Sequence, residues 1–380
     1  MRVALDARLA LTNSRGHGRY ILGLCKGLLE IDARNEYILY VDAPDAGRVF
    51  SKMVNAHLRI LRPSVYPLWE QYLLPRQLIR DRVDLVHFSN HTAPLYCPVP
   101  SVVTIHDTIY LDGTPWRQPL RQQLGRVYKR LTAPRSARYS RKVIAVSEFC
   151  RSELVNRLAI PEEKIVVTYE GIDPAFRPMP PEEALERVRR FGLDNGSYLL
   201  CLGGFDPRKN TGAIIEAYKS LLGMVRIELK LVIAGLNQGD LVKIAPHAIP
   251  LVSAGSVIPL GFVTDEELVA LYNLASVFLY VSRAEGFGIP VLEAMACGTP
   301  VVASNTTSIP EVAGEAALLV DPDSVEQIAQ AAYALLTELA LRTRCISAGK
   351  KRVERFSWLE VARRTLQIYE RVVQEIARGK

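Results

Sequence analysis

The sequence predicts an α/β chain of two doubly wound domains with parallel sheets. Three observations carry that expectation. The chain has 380 residues, too many for one ordinary core, so two domains of about 150–200 residues each are expected. Short, mostly apolar runs alternate with helical stretches in both halves, as strands buried on two faces by crossover helices do. The stretch "GIDPAFRPMPPEEALERV" crowds Pro174, Pro178, Pro180 and Pro181 together before a helix and a fresh strand begin, which marks a boundary.

In chain order, the candidate strands of the first half are Val3–Leu5, Leu85–Phe88, Val102–Ile105 and Val143–Val146. Those of the second half are Tyr198–Leu202, Leu229–Ala234, Val257–Leu260, Val277–Val281 and Val301–Ala303. Thr264-Asp265-Glu266-Glu267 opens a helix as a Thr-x-x-Glu capping box, and Ser357-Trp358-Leu359-Glu360 reads as another. The first domain is expected over 1–176, a linker over 177–192 and the second domain over 193–357. The last helix, about Trp358–Ala377, carries apolar residues at 358, 362, 366, 369, 373 and 376. That stripe has helical spacing and must pack on something.

Composition narrows the class. No run of roughly 18 apolar residues appears, so no spanning helix is expected. "MRVALDARLALTN" carries Arg2, Asp6 and Arg8, which suits a first strand and not a secretory signal. The six cysteines are scattered with no Cys-x-x-Cys, so reduced, mostly buried thiols in the cytoplasm are expected. Net charge is +7, and it is clustered. From Gly113 to Ser147 there is no acid, yet Arg117, Arg121, Arg126, Lys129, Arg130, Arg135, Arg138, Arg141 and Lys142 fall there. Such a stretch attracts anions such as phospholipid head groups, lipid diphosphates or nucleic acid; a solvated basic helix face is the plain alternative.

The chemistry concentrates in "RAEGFGIPVLEAMACGTPVVAS", Arg283 to Ser304. "SVFLYV" is a strand, "SRAEGFG" the loop at its carboxyl end, and "IPVLEAMAC" a helix with Pro290 near N1. Gly298 is the expected C′ residue, and the strand "VVAS" follows. Loops in this position bind ligands in α/β sheets. Gly286 and Gly288 let backbone N–H groups approach a ligand, and the helix start favours phosphate. Glu285 and Glu293 repel phosphate but accept from hydroxyls. The ligand implied has a phosphate centre and hydroxyl-rich rings on either side, as a nucleoside diphosphate sugar does. Two plain readings compete: an exposed loop acid at Glu285, and a Glu293 stabilised by roughly 0.3–1 kcal/mol in the first helical turn.

Glu-Gly-Phe-Gly-Ile-Pro-x-Leu-Glu-Ala-Met-Ala-x-Gly-x-Pro-Val resembles the signature of the retaining glycosyltransferases of family 4, also called group 1. The resemblance spans nearly the whole chain and is most specific from about Ser282 to Gly314. It implies the GT-B fold: two Rossmann-like domains facing a central cleft, with the C-terminal helix of 358–380 crossing back to the N-terminal domain. It assigns the transferred sugar to Glu285 and the ribose hydroxyls to Glu293. The backbone at Gly286, Phe287 and Gly288 would receive the diphosphate, and Ser282 and Ile289 would belong to the donor site.

Other motifs take their roles from the same resemblance. "LGGFDPRKN" places Arg208 and Lys209 after the first strand of the second domain, where cations would neutralise a leaving diphosphate. Much of the family has its arginine where this chain has Gly204, so Arg208 stands in for it at the donor site. "SVVTIHDTIY" ends a strand at His106-Asp107, a pair that would face the sugar from the first domain. "NSRGHGRY" supplies Gly16 and Gly18 as a loop near the diphosphate, with Arg15-Gly16 where the family often has two glycines. It is not a dinucleotide fingerprint, for it lacks the third glycine. Phe262 and Val263 follow Gly261 in a turn whose backbone would read the base. Ser304 to Glu311 would line the nucleotide, or cap a helix. Asp321-Pro322-Asp323 is read as a helix start with an Asp or Ser324 N-cap, not as a metal site.

The resulting expectation is a retaining, metal-independent hexosyltransferase in surface polysaccharide synthesis. It would use a donor of the UDP-glucose or GDP-mannose type and a glycan or lipid-linked acceptor. No cofactor and no nucleic-acid partner are expected. Peripheral membrane contact would come from the basic 117–142 stretch. An epimerase or phosphorylase of the same fold, and a non-catalytic sugar-nucleotide-binding protein, are the alternatives.

Overall fold

The computed structural model describes residues 1–11, 16–42, 50, 55–62, 65–112, 120–193 and 197–378. Arg15 and Arg117 lie outside the described residues, and so does the side chain of Arg121. By its contacts the chain forms two units, Met1–Gly171 with Phe356–Lys380, and Ile172–Arg355.

The first unit holds a seven-stranded parallel sheet in the order β3-β2-β1-β4-β5-β6-β7. The strands are β1 (Arg2–Asp6), β2 (Glu36–Val41), β3 (Ala56–Ile60), β4 (Leu85–Phe88), β5 (Ser101–Ile105), β6 (Lys142–Ala145) and β7 (Ile165–Val167). β4 and β5 are buried throughout, whereas the edge strand β3 is largely exposed. The chain runs outward from β1 through β2 to β3, then returns to β4 beside β1. That reversal makes a topological switch between β1 and β4, where such sheets bind ligands.

The C-terminal helix, Trp358–Arg378, packs on the helix His17–Ile31 within this unit. Its buried face is Val361, Ala362, Thr365, Ile368, Tyr369 and Val372. The expected stripe is thus displaced slightly, with Trp358, Leu366, Val373 and Ile376 flanking the contact. Gly23, Gly27 and Gly171 form the bed for Trp358. A Cβ on Gly27 would stand 2.7 Å from the Trp358 carbonyl oxygen, one on Gly171 2.6 Å from Trp358 Cδ2 and 2.7 Å from its backbone nitrogen, and one on Gly23 would overlap the indole. A hydrogen-bonded chain then crosses the core. The Tyr369 hydroxyl meets His87 Nδ1 at 2.6 Å, His87 Nε2 meets Thr104 Oγ1 at 2.8 Å, and Thr104 meets the Tyr20 hydroxyl at 2.9 Å. Burial, reinforced by His106, pushes His87 down to about 3, so this is a neutral core histidine.

The second unit holds a six-stranded parallel sheet in the order β10-β9-β8-β11-β12-β13. Its strands are β8 (Ser197–Leu202), β9 (Leu229–Ala234), β10 (Val257–Gly261), β11 (Val277–Tyr280), β12 (Val301–Ser304) and β13 (Ala317–Val320). The switch point falls between β8 and β11. One core cluster runs from Leu199 through Ile214, Ile233 and Leu279 to Leu335 and Cys345. Residues 177–192, expected as a linker, lie inside this unit. The helix Pro181–Val188 packs on Asp265–Leu274, and Arg190 pairs with Glu267.

Local signals resolve in detail. Thr264 and Glu267 form a full capping box. At Ser357 only half of the box forms: its hydroxyl accepts from the Glu360 N–H at 3.1 Å, while the Glu360 carboxylate is held by Arg363 and Arg364. Gly298 (φ 81°) sits at C′, with its N–H on Met295 O and the Thr299 N–H on Ala294 O, a Schellman pair. Ser324, not an aspartate, caps Val325–Thr337, and Asp323 pairs with Arg283 at 2.7 Å.

Candidate active site

In the second unit, the loops that follow β8, β11 and β12 gather at the sheet's carboxyl end. Lys209 Nζ lies 2.8 Å from Glu285 Oε1, and Arg208 Nη1 lies 3.7 Å from Glu285 Oε2. Lys209 also donates to the Tyr280 hydroxyl at 3.2 Å. Side-chain exposures of 25%, 27% and 13% for Lys209, Arg208 and Glu285 leave the cluster reachable but poorly hydrated. Burial works against the Glu285 charge, but Lys209 and Arg208 more than offset it and hold its carboxyl below the usual range. Burial likewise opposes the Lys209 charge, and Glu285 with Tyr280 raises that amine above its ordinary value. All three groups are ionised at neutral pH.

The loops are braced. Asp206 accepts from the Arg208 N–H at 3.0 Å and from Arg208 Nε at 2.7 Å, while Arg208 Nη1 donates to Ala284 O at 2.9 Å. Asn210 (φ 56°) ties the loop down through Val281 O and Pro322 O. Gly204 lies against the Lys209 stem, where a Cβ would sit 3.2 Å from Lys209 Cγ. On the far side, the Ser308 hydroxyl lies 2.9 Å from both the Glu285 and Phe287 carbonyl oxygens, and the Glu285 N–H donates to Thr307 Oγ1. Ser308 is the N-cap residue of Ile309–Ala313 but makes no side-chain cap bond. Its hydroxyl braces the Glu285 loop instead.

Gly288 (φ 111°) is the N-cap of the helix Ile289–Ala296. Any side chain there would be strained and would meet Ile309 Cδ1 at 2.5 Å. Glu293 is therefore the fifth helical residue, not a first-turn one, and a dipole effect does not account for it. It is buried (1% exposed) and accepts from the Tyr272 hydroxyl at 3.2 Å. Ser282, Phe287 and Ile289 are buried beside it in sequence. Val263 is buried, whereas Phe262 is exposed with its carbonyl accepting from Arg190.

In the first unit, Gly16 (φ 84°) is the exposed N-cap of His17–Ile31, and Gly18 is buried in its first turn. His106 follows β5 and is buried. Its Nδ1 lies 2.8 Å from Glu170 Oε1, and its Nε2 donates to Ser89 O at 2.9 Å. Both ring nitrogens are thus engaged within this unit. His17 and His91 stand edge-on to His106, with ring centroids 4.6 and 5.4 Å away.

A family model described as glycosyltransferase family 4 matches residues 14–176, and one described as glycosyl transferases group 1 matches residues 186–352. An MMP alpha-(1->4)-mannosyltransferase from Mycolicibacterium hassiacum is 31% identical over 290 residues, 73% of this chain and 67% of that protein. The chain belongs to glycosyltransferase family 4. O-antigen chain mannosyltransferase B from Escherichia coli is 29% identical over 372 residues, 93% of this chain and 96% of that one. Among solved structures, HepE from Anabaena in complex with UDP and glucose aligns with a TM-score of 0.74 at 17% identity, over 97% of this chain and 99% of that chain. That likeness shows the fold, two Rossmann-like domains of the GT-B type.

The supports of these groups are residues to which the sequence assigns no role, apart from Ser308, which lies in the 304–311 segment. Asp206, Tyr280 and Ser308 brace the charged cluster, and Glu170 holds His106. Near the end of β1, Arg8 stacks over Tyr66 at 3.8 Å, and the fully buried Glu70 accepts from Thr92 and from Tyr128 at 2.6 Å. The basic stretch divides. Arg130 donates to the carbonyls of Tyr110 and Asp112, each at 2.7 Å, and burial lowers Lys129. Arg135, Arg138 and Arg141 remain exposed. On the same helix, Leu120–Tyr139, Leu124, Val127 and Leu131 are exposed at 61%, 52% and 60%. No helix among the described residues is long and apolar enough to cross a membrane.

Proposed function

We propose that the chain is a retaining hexosyltransferase that takes its sugar from a nucleoside diphosphate donor. The observation that carries this reading is the Arg208–Lys209–Glu285 cluster at the switch point of the second sheet. Two cations there suit a diphosphate, and one carboxylate between them suits sugar hydroxyls. The bond from the anomeric carbon to the phosphate oxygen breaks as the acceptor oxygen bonds to the same face. The acceptor's hydroxyl proton passes to the leaving phosphate oxygen. Arg208 and Lys209 stabilise the negative charge that develops on that phosphate, the electrostatic term that usually dominates. This reading assigns the leaving group's neutralisation to side chains, with no metal at the diphosphate.

Gly286 to Gly288 present backbone N–H groups to the diphosphate, Glu293 serves the ribose hydroxyls, and the Gly261–Val263 backbone serves the base. Gly16, Gly18 and His106 belong to the sugar and diphosphate surroundings, with Glu170 setting the His106 ring. Mannose is the favoured hexose, because the relatives at 29% and 31% identity are named mannosyltransferases. The acceptor is a glycan or a lipid-linked saccharide in surface polysaccharide assembly. The exposed Leu124, Val127 and Leu131 amid Arg126, Arg135 and Arg138 suit an anionic membrane surface, apolar residues entering the interface and cations meeting head groups.

A thermal-shift panel of GDP-mannose, UDP-glucose and ADP-glucose, followed by slow hydrolysis of the best binder, tests the reading. Stabilisation by GDP-mannose with release of mannose is expected. Conversion of a donor to another sugar nucleotide with no acceptor present would replace transfer by epimerisation.

A further inference from the structure

The first unit carries a cluster of metal-ligating side chains beside His106. His17 Nε2 and His91 Nε2 face each other at 3.3 Å. Asp107 Oδ2 lies 4.0 Å from His91 Nε2, and one donor atom from each of the three residues falls within 4.8 Å of the others. The residues come from three elements: the start of the helix after β1, the loop after β4, and the loop after β5. Two nitrogens bound to a tetrahedral zinc at about 2.0–2.1 Å stand about 3.3 Å apart, so the ring separation matches a shared ion. We propose that His17, His91 and Asp107 form a binding site for a first-row divalent transition cation, of which Zn²⁺ is the best fit to two imidazoles and a carboxylate.

Further features support the site. Asp107 Oδ1 accepts from the Ile109 N–H at 3.0 Å, which orients the carboxylate as outer contacts orient metal ligands. His91 is buried with a left-handed backbone (φ 59°), a conformation that persists where the surroundings fix a ligand-bearing residue. Three protein donors leave a tetrahedral ion one open position, for water or an oxygen of a small molecule. The site lies in the first unit and does not replace Arg208 and Lys209 at the diphosphate.

The test is equilibrium dialysis of the purified full chain against Zn²⁺, with Co²⁺ absorption as a second probe. One equivalent per chain and a cobalt spectrum free of thiolate charge transfer are expected. His17→Gln and Asp107→Asn, checked for folding by circular dichroism, should each weaken binding by at least about 10²-fold, the upper end for loss of an outer-shell partner. Cys97→Ser should bind as the wild type does. No stoichiometric binding, or binding that survives both substitutions, overturns the site. Because the readout is metal binding, it stands or falls apart from the transferase reading.

Discussion

Glu285→Gln is the most informative substitution in the second unit. At an effective dielectric near 20, the 2.8 Å and 3.7 Å contacts of Glu285 with Lys209 and Arg208 correspond to about 6 and about 4.5 kcal/mol of attraction before desolvation. Desolvation cancels most of that. Breaking a fully buried pair costs about 3–5 kcal/mol. The three side chains here are 13–27% exposed, so about 2 kcal/mol is the working figure. For a unit the size of residues 172–355, that lowers Tm by about 4–8 °C. The same substitution leaves two cations without their carboxylate. A nucleoside diphosphate should then bind as tightly as before or up to about tenfold tighter, and should restore more of the lost Tm than it adds to the wild type. Transfer should fall by at least about 10²-fold, since the carboxylate proposed to meet the sugar is gone. Thermal melts with and without GDP and UDP, calorimetry and a donor-consumption assay read all three effects. A variant that melts with the wild type, or that loses nucleotide affinity while still transferring sugar, refutes the reasoning.

Lys209→Ala should lower kcat by about 10²–10³, and wild-type turnover in the purified variant would remove Lys209 from the mechanism. Gly23→Ala drives a methyl into the Trp358 indole and should cost about 1–3 kcal/mol in urea unfolding; an unchanged midpoint contradicts that packing. Burial, opposed by Arg8 and aided by Glu70, raises the Asp6 carboxyl to about 6 from an unfolded value near 3.8. The folded state holds the extra proton across that window, so the Asp6 contribution to stability is lost as pH rises from about 4 to about 6, and Asp6→Asn should gain on the wild type by up to about 3 kcal/mol there. Equal pH profiles of unfolding for the two chains would sink that sign. Vesicles rich in anionic lipid should float the protein at low salt, and replacing Leu124, Val127 and Leu131 with Gln should reduce the floated fraction several-fold; no flotation of the wild type ends the membrane reading.

The sequence made the architecture readable wherever strands are short, apolar and doubly buried. β4, β5, β9 and β11 announce themselves because both faces are covered by helices. β3 does not, since an exposed edge strand such as "AHLRI" has no apolar run to show. β7 has three residues, and β13 begins at the last residue of "GEAA", which reads as helix as easily as strand. β2, "EYILYV", carries an apolar run as plain as the others and merits the same reading. The site is legible in the same uneven way. Glu285 and Lys209 stand 76 residues apart in sequence and meet at one loop cluster because β8 and β11 are neighbours. Their supports, Asp206, Tyr280 and Ser308, and the Glu170 that holds His106, act through contacts that only folding creates. Glu293 shows the limit of local reasoning, for its place in the helix depends on where Gly288 lets the first turn begin.

Trp358 rests on Gly23, Gly27 and Gly171, so the cover of the first unit is made last. On the ribosome, every residue of Ile172–Arg355 is translated before the helix that closes the first sheet. A nascent chain that has not reached Phe356 already holds the complete sequence of the second unit, while the helix His17–Ile31 still presents an unfilled glycine-lined face. The first unit to be translated is therefore the second to be completed, and until then its exposed apolar face is the segment that chaperones and premature self-association compete for.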